Sequence, residues 1–294
     1  MQSLWILAAQ FCYALTSLFI KLSSADIGPF EAVFYRSVFA CALMLVPAVL
    51  HHQSLASPYW KVHLFRACAG TTAQTFWILT VPLMPLAMNM MFTNTTPLYM
   101  AIAITLFCFW QRDAVPWRII AMVVLGFAGV LIILRPQGEV PLLASVAALS
   151  CGLWSMLAYA SIRYLASRGE PTWRIIFYYT AFGTVFGLGG CLALEDGFVE
   201  FTPLNLFFIA GIGLSTLGAQ YFNTRGYGKG NLLLNSTLQY SVVVFAQVFG
   251  FLVLGETLTI LESFGIAVIC AAAILATYFT RAWQKTVKNK PIWG

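Results

Sequence analysis

Gln74, Asn89 and Thr93 interrupt an apolar stretch of sequence, and Gln220, Asn235 and Gln239 interrupt a second one at the same places. Sliding Gln74–Pro97 forward by 146 positions lands it without a gap on Gln220–Val243. Ala73-Gln74-Thr75-Phe76 then falls on Ala219-Gln220-Tyr221-Phe222, Asn89 on Asn235, and Thr93 on Gln239. Residues four apart share a helix face, so Asn89 with Thr93, and Asn235 with Gln239, form two polar stripes among Leu, Met and Phe. Hydrocarbon cannot satisfy an amide, and two matched stripes can hydrogen-bond a polar solute in a shared cavity. The alternative is interhelical bonding that only holds helices together; the recurrence favours a site.

Arg36 adds charge to that chemistry, because it stands nearly two turns into another apolar run. An ionisable group inside a bilayer is costly and marks function. A guanidinium makes paired, charge-assisted hydrogen bonds to a carboxylate or other anion; the alternative is a buried pair with Glu31 or a carbonyl. Glu31 is a candidate for taking up a coupling proton, since desolvation raises a carboxyl pKa, or simply caps its helix. Trp77 lies three residues past Gln74 on the same face, and it and Tyr240 offer surfaces for a flat substrate ring. Tyr99, Trp154, Tyr178 and Tyr221 also lie in apolar runs, where packing and interfacial belts use most aromatics.

The elements that must hold these groups follow from composition. The 294 residues are 60% hydrophobic and 9% charged, with a mean hydropathy of +0.83; a soluble domain carries roughly a quarter charged residues. This is an integral membrane protein. Its seven cysteines are scattered singly in apolar runs, so they read as small core residues and imply neither disulfides nor a metal. No cofactor is expected. The net charge of +6 is spread between apolar runs with no interleaved stacking surface, which argues for membrane topology over nucleic acid. The N-terminus lacks the charged region of a signal peptide, and its apolar run is expected to be a retained first helix.

A bilayer core takes about 20 apolar residues per helix. Ten such spans are predicted: Leu4–Leu22, Phe30–Leu50, His63–Leu79, Leu86–Phe109 and Trp117–Leu134, then Leu142–Leu165, Trp173–Leu194, Leu204–Thr224, Leu232–Leu254 and Thr259–Phe279. Gly28-Pro29, Arg135-Pro136-Gln137-Gly138 and Gly169-Glu170-Pro171 are among the turns between them. Threading these spans puts thirteen of the sixteen Lys and Arg on one side, Arg66 included, and leaves Lys21, Arg36 and Arg135 on the other. Basic residues favour the cytoplasmic side of short loops, so both termini are expected there, with residues 281–294 a basic cytoplasmic tail. A nine-span or eleven-span threading scrambles that separation.

Residues 1–139 and 140–280 therefore form two five-helix repeats. An odd helix number makes the second enter the membrane from the opposite face, so the fold class is all-α, ten transmembrane helices as two inverted repeats. Secondary transporters recur to that symmetry, with substrate near the midplane at the repeat interface.

Several stretches in order carry a resemblance: Phe19-Ile20-Lys21-Leu22, Phe34-Tyr35-Arg36-Ser37, Thr95-Thr96-Pro97-Leu98, and Gly126-Phe127-Ala128-Gly129 running into Leu134-Arg135-Pro136. The second half adds Gln239-Tyr240, Phe245 through Leu254-Gly255-Glu256, and Gly265. The chain resembles the EamA branch of the drug/metabolite transporter superfamily over essentially its whole length. The Arg36 stretch and Gln239-Tyr240 are similar to the sub-branch that includes S-adenosylmethionine uptake carriers. Two places depart from the family pattern: Trp110-Gln111-Arg112-Asp113 stands where it usually has Gly-Glu, and Val243 where it often has proline.

The expected function is thus secondary transport of a small organic metabolite, amino-acid-like, nucleoside-like or otherwise zwitterionic or anionic, by rocking one repeat against the other. A coupling proton or an antiported metabolite would drive it, and the oligomeric state is open. The alternatives are an integral membrane transferase and a structural or partner-binding subunit. A transferase needs Asp, His or Glu clustered at one membrane face, whereas His51, His52 and His63 lie on a loop with no nearby acid in sequence. No catalytic residue is assigned, and no P-loop supplies ATP. Gly183 and Gly187 form a small-xxx-small pattern, read as close helix packing, with dimerisation the alternative.

Overall fold

The structure is a computed structural model describing all residues except 1, 24–25, 51, 81–91, 113, 135–141, 196–197, 255–258 and 287–294. Asn89 therefore lies outside the described residues. After a 3-10 turn at Gln2–Leu4 come α1 (Trp5–Ser23), α2 (Pro29–Leu50), α3 (Trp60–Thr80), α4 (Thr96–Gln111) and α5 (Trp117–Leu134). The second half gives α6 (Leu142–Ser167), α7 (Thr172–Leu194), α8 (Pro203–Lys229), α9 (Leu232–Gln239), α10 (Ser241–Leu254) and α11 (Ile260–Thr286). No strand occurs among the described residues. Side-chain oxygens cap the starts of α8 and α9: Thr202 accepts from the Asn205 N–H at 3.2 Å, and Asn231 from the Leu234 N–H at 3.0 Å.

Seven stretches among the described residues are long and apolar enough to cross a bilayer. Their outward faces carry bare apolar side chains, such as Val185, Leu192, Phe251 and Ile274, while Gln220, Asn223, Asn235 and Ser236 are buried inside. That inversion suits a molecule solvated by lipid. α3 is not one of the seven, since its length is shared by Lys61, His63, Arg66, Gln74 and four threonines. The ten-span threading accommodates every helix, with one difference. The ninth span, expected as one helix, is α9 and α10 in succession, tightened at Tyr240, whose N–H reaches the Thr237 carbonyl at 3.3 Å. The first repeat breaks at the matching place, with a turn at Asn94-Thr95 before α4. Pro97 lies in the first turn of α4, and proline is favoured there because its missing N–H has no helical partner. Its counterpart Val243 keeps the N–H and donates it to the Tyr240 carbonyl at 3.1 Å.

The closest helix pairings all join the two halves: α1 with α8, α2 with α7, α3 with α6, and α5 with α11. Under the repeat, α1 corresponds to α6 and α3 to α8, so the first and third of these pairs are images of each other. Glycines set the distance in the other two. On α7, Gly183 faces Ser37, Gly187 faces the Phe34 backbone and Gly190 faces the Phe30 ring, one contact per turn of α2. Gly183 and Gly187 thus pack within the monomer. Where α5 crosses α11, a Cβ on Gly129 would meet the Gly265 carbonyl at 3.1 Å.

Matched clasps close both ends of the α2/α7 pair. Following α7, the Glu195 carboxylate accepts the N–H groups of Phe30 (2.8 Å) and Glu31 (3.0 Å) at the start of α2. Glu31 answers by accepting the Val199 N–H at 2.7 Å. At the other end, the segment after α2 holds the start of α7: Ser57 donates to Glu170 (2.5 Å), and Arg174 bridges Glu170 (3.0 Å) and the Ser54 carbonyl (2.7 Å). His63, fully buried, stacks on Tyr178 with ring centroids 4.5 Å apart and approaches Glu170 at 3.4 Å.

Burial pushes the Glu170 carboxyl up, but hydrogen bonds from Ser57 and Arg174 and the charges of Arg174 and His63 outweigh it and hold the pKa below the ordinary carboxylate value. A lowered folded-state pKa means stability that is present above the unfolded value and lost as pH falls through the folded one. The melting temperature should therefore drop by a few degrees on acidification below about pH 4. In Glu170→Gln that acid-dependent part should vanish, which thermal unfolding in detergent from neutral pH down to about pH 3 would reveal; an identical acid profile for the variant would refute the assignment.

Candidate functional site

Between the halves lies a cavity of about 210 Å³. Its walls come from both repeats, because cross-repeat pairing turns the polar faces of α1, α3, α6 and α8 toward one another. Arg36, Gln74, Trp77, Thr93, Gln220 and Gln239 all line it. The shared polar pocket expected from the repeat thus contains the two glutamines that defined the repeat. Both helix breaks open onto it, through Thr93-Asn94 on one side and Gln239 on the other.

Hydrogen bonds fix the amides. Tyr179 donates to Gln74 Oε1 at 2.9 Å, Gln220 Nε2 donates to Tyr13 at 3.2 Å, and Tyr227 donates to Gln239 Oε1 at 3.0 Å. Gln74 Nε2 and Gln220 Oε1 are left buried and without a partner. The cavity therefore presents a donor from one repeat and an acceptor from the other. Each glutamine leans on a tyrosine hydroxyl, which both donates and accepts, so either amide can turn over and still keep its bond. Tyr159 lines the cavity and lies against Tyr227 behind it, rings 4.2 Å apart and nearly parallel.

Three predicted residues stand elsewhere. Asn235 is fully buried at the start of α9, where its Nδ2 donates to the Gly226 carbonyl at 2.8 Å and ties α9 to α8. Tyr240 is fully buried too, its ring lying on Gly126 of α5. Glu31 is in the clasp with Glu195 and Val199, outside the lining. Asn235 shares a face of α9 with Gln239 but stands one turn earlier, where it bonds the Gly226 carbonyl, so the stripe reaches the cavity only at Gln239.

Sequence reasoning passed over Gln10, Tyr13, Arg66, Tyr159 and Tyr179, all of which line the cavity. Tyr13 and Tyr179 had a readable signal only as partners of the glutamines. Arg66 was assigned to the basic side of the membrane, yet it is 3% exposed and turns inward. Arg36 is 6% exposed, and no carboxylate pairs with either arginine among the described residues, whose ion pairs are His63–Glu170 and Arg174–Glu170. What the arrangement can do is hold a small polar solute by donors on several sides, with charge available for an anionic group.

Known proteins with related sequences are transporters. An uncharacterised transporter of Helicobacter pylori is 27% identical over 280 residues, covering 92% of both chains. The pseudopaline exporter CntI of Pseudomonas aeruginosa is 24% identical over 269 residues, with 90% of this chain and 92% of that one covered. The riboflavin transporter of Vibrio cholerae is 23% identical over 259 residues, with 86% and 85% covered. A solved crystal structure superposes with a TM-score of 0.83 over 96% of this chain and 98% of the other, at 18% identity, which establishes the shared fold. The family profile of EamA-like transporters matches residues 1–135 and again 140–278, one match per half. With two such halves around a polar cavity in an apolar bundle, the protein is a multi-pass membrane transporter and not an enzyme, and it belongs to the EamA-like transporter family.

Proposed function

We propose that the protein is a secondary active transporter carrying a small zwitterionic or anionic organic metabolite, amino-acid-like or nucleoside-like, across the inner membrane by alternating access, with both termini in the cytoplasm. The supporting observation is the pocket itself: a buried cavity at the interface of two inverted repeats, lined by Arg36, Gln74, Gln220 and Gln239. Relatives named for pseudopaline and for riboflavin also move small organic solutes.

The interlocking of the halves supports a particular choice of moving bodies. Rocking one whole repeat against the other would separate all four of the closest helix pairs. The α2/α7 pair, clasped at both ends, is better suited to stay fixed while the cross-repeat pairs α1/α8 and α3/α6 tilt about it. A coupling proton or an exchanged metabolite supplies the drive. Glu31 is the candidate for a proton: it is 2% exposed, and its protonation would weaken the bond from the Val199 N–H that helps close the clasp with Glu195.

Purified protein in empty vesicles, offered labelled amino acids, nucleosides and riboflavin, should accumulate at least one of them. Gln74→Ala and Gln220→Ala should each lower its uptake roughly two- to tenfold, the size of one hydrogen bond. Uptake equal to protein-free vesicles for every solute, or full activity in both variants, would reject the proposal.

A further inference from the structure

We propose that Arg66 is a second anion-binding group of the cavity, so that the substrate carries two acidic groups, as a small dicarboxylate does. This rests on the carrier reading above and names the substrate class of that same site. Arg66 is 97% buried by its 3% exposure, and its Nε and Nη1 have no hydrogen-bond partner. Its guanidinium carbon lies over the Tyr179 ring, 4.2 Å from the centroid, while the Tyr179 hydroxyl holds Gln74. Room for it is made one turn along α3, where a Cβ on Gly70 would collide with Arg66 Nη1 and come within 2.9 Å of Tyr179.

An arginine cannot shed its proton inside a protein, so its charge must be met by something. Among the described residues the lining contains no Asp or Glu, yet it holds a second guanidinium, Arg36. The buried polar atoms that line the cavity without a partner point the same way: four nitrogens, on Gln10, Arg66 (two) and Gln74, against one oxygen on Gln220. A single carboxylate would leave one buried cation unmatched. Two acidic groups neutralise both, and charge-assisted bonds to carboxylates are the strong ones a guanidinium makes. The volume of about 210 Å³ restricts the solute to a compact one.

Glutarate, glutaramate and glutaramide have the same length and carry two, one and no negative charges, so they separate charge from size. At matched chloride ionic strength, glutarate should raise the melting temperature of the full-length protein most and glutaramide least. In Arg66→Gln the advantage of glutarate over glutaramate should fall about tenfold, while glutaramate itself changes less than about threefold. Arg66→Lys and Gly70→Ala keep the charge and displace or reshape the donor, so they serve if the glutamine variant does not fold; both should narrow the glutarate advantage. Equal shifts for the three compounds, no shift with any of them, or an undiminished glutarate advantage in the folded variants overturns the proposal. If that happens while uptake in vesicles still depends on Gln74 and Gln220, the second cation alone is wrong. If uptake is also indifferent to those glutamines, the cavity is not the carrier site.

Discussion

Gly187→Leu should yield no folded protein, whereas Gly189→Leu, two residues further along α7, should fold and melt near the parent. A Cβ on Gly187 would lie 2.7 Å from the Phe34 nitrogen and 2.8 Å from its Cα, and backbone in the middle of a clasped helix cannot step aside. Gly189 has nothing within 4 Å of its added Cβ. Even Gly187→Ala should cost about 1–3 kcal/mol through overpacking. Gly189→Ala should gain up to about 1 kcal/mol from helix propensity. Thermal unfolding in detergent, with yield after size-exclusion chromatography as a second reading, separates the pair. Similar melting of the two alanine variants would mean that α2 and α7 are not pressed together as described.

Arg36→Gln should cut vesicle uptake of an anionic or zwitterionic solute by roughly 10- to 100-fold, because a hydrogen bond to a charged group is worth about 1.5–3 kcal/mol. The side chain is 6% exposed and lines the cavity, with no carboxylate paired to it among the described residues. Arg36→Lys keeps the charge but loses the planar fork, so it should fall between. Rates must be normalised to folded protein. Unchanged uptake in Arg36→Gln would remove this arginine from the site. Fold loss in it, with normal uptake in Arg36→Lys, would make its role structural.

The architecture was legible because lipid enforces it. Apolar runs of fixed length and the 146-residue echo between Gln74 and Gln220 together give membrane-spanning helices and two repeated halves. The family resemblance, carried by dispersed motifs, agrees with the profile matches in each half. Within the site, residues that recur in both repeats were the ones sequence could find: Gln74 with Gln220, and Thr93 with Gln239, line one cavity. What sequence could not show was which neighbours the cross-repeat packing would bring. Tyr13 and Tyr179 have no motif of their own and enter through partners 207 and 105 residues away. Arg66 looked like a loop charge because it falls near the start of its span. Only the direction of its side chain, set by Gly70 and Tyr179, turns it inward. Asn235 matched its repeat partner in register, but it lies one turn from the cavity and its amide is taken by the Gly226 carbonyl, a contact register does not announce.

Because each principal helix pair takes one member from either half, the order of biosynthesis matters. The ribosome delivers α1, α2 and α3 to the bilayer well before α6, α7 and α8 exist. During that interval the glycine-facing side of α2 and the polar sides of α1 and α3 have only lipid or each other for company. The nascent amino-terminal half is thus an obligate intermediate with unmatched surfaces, a natural client for insertion chaperones and membrane proteases, and assembly must wait on contacts of long sequence separation. Splitting the gene between the halves would produce two fragments that depend on each other for survival in the membrane.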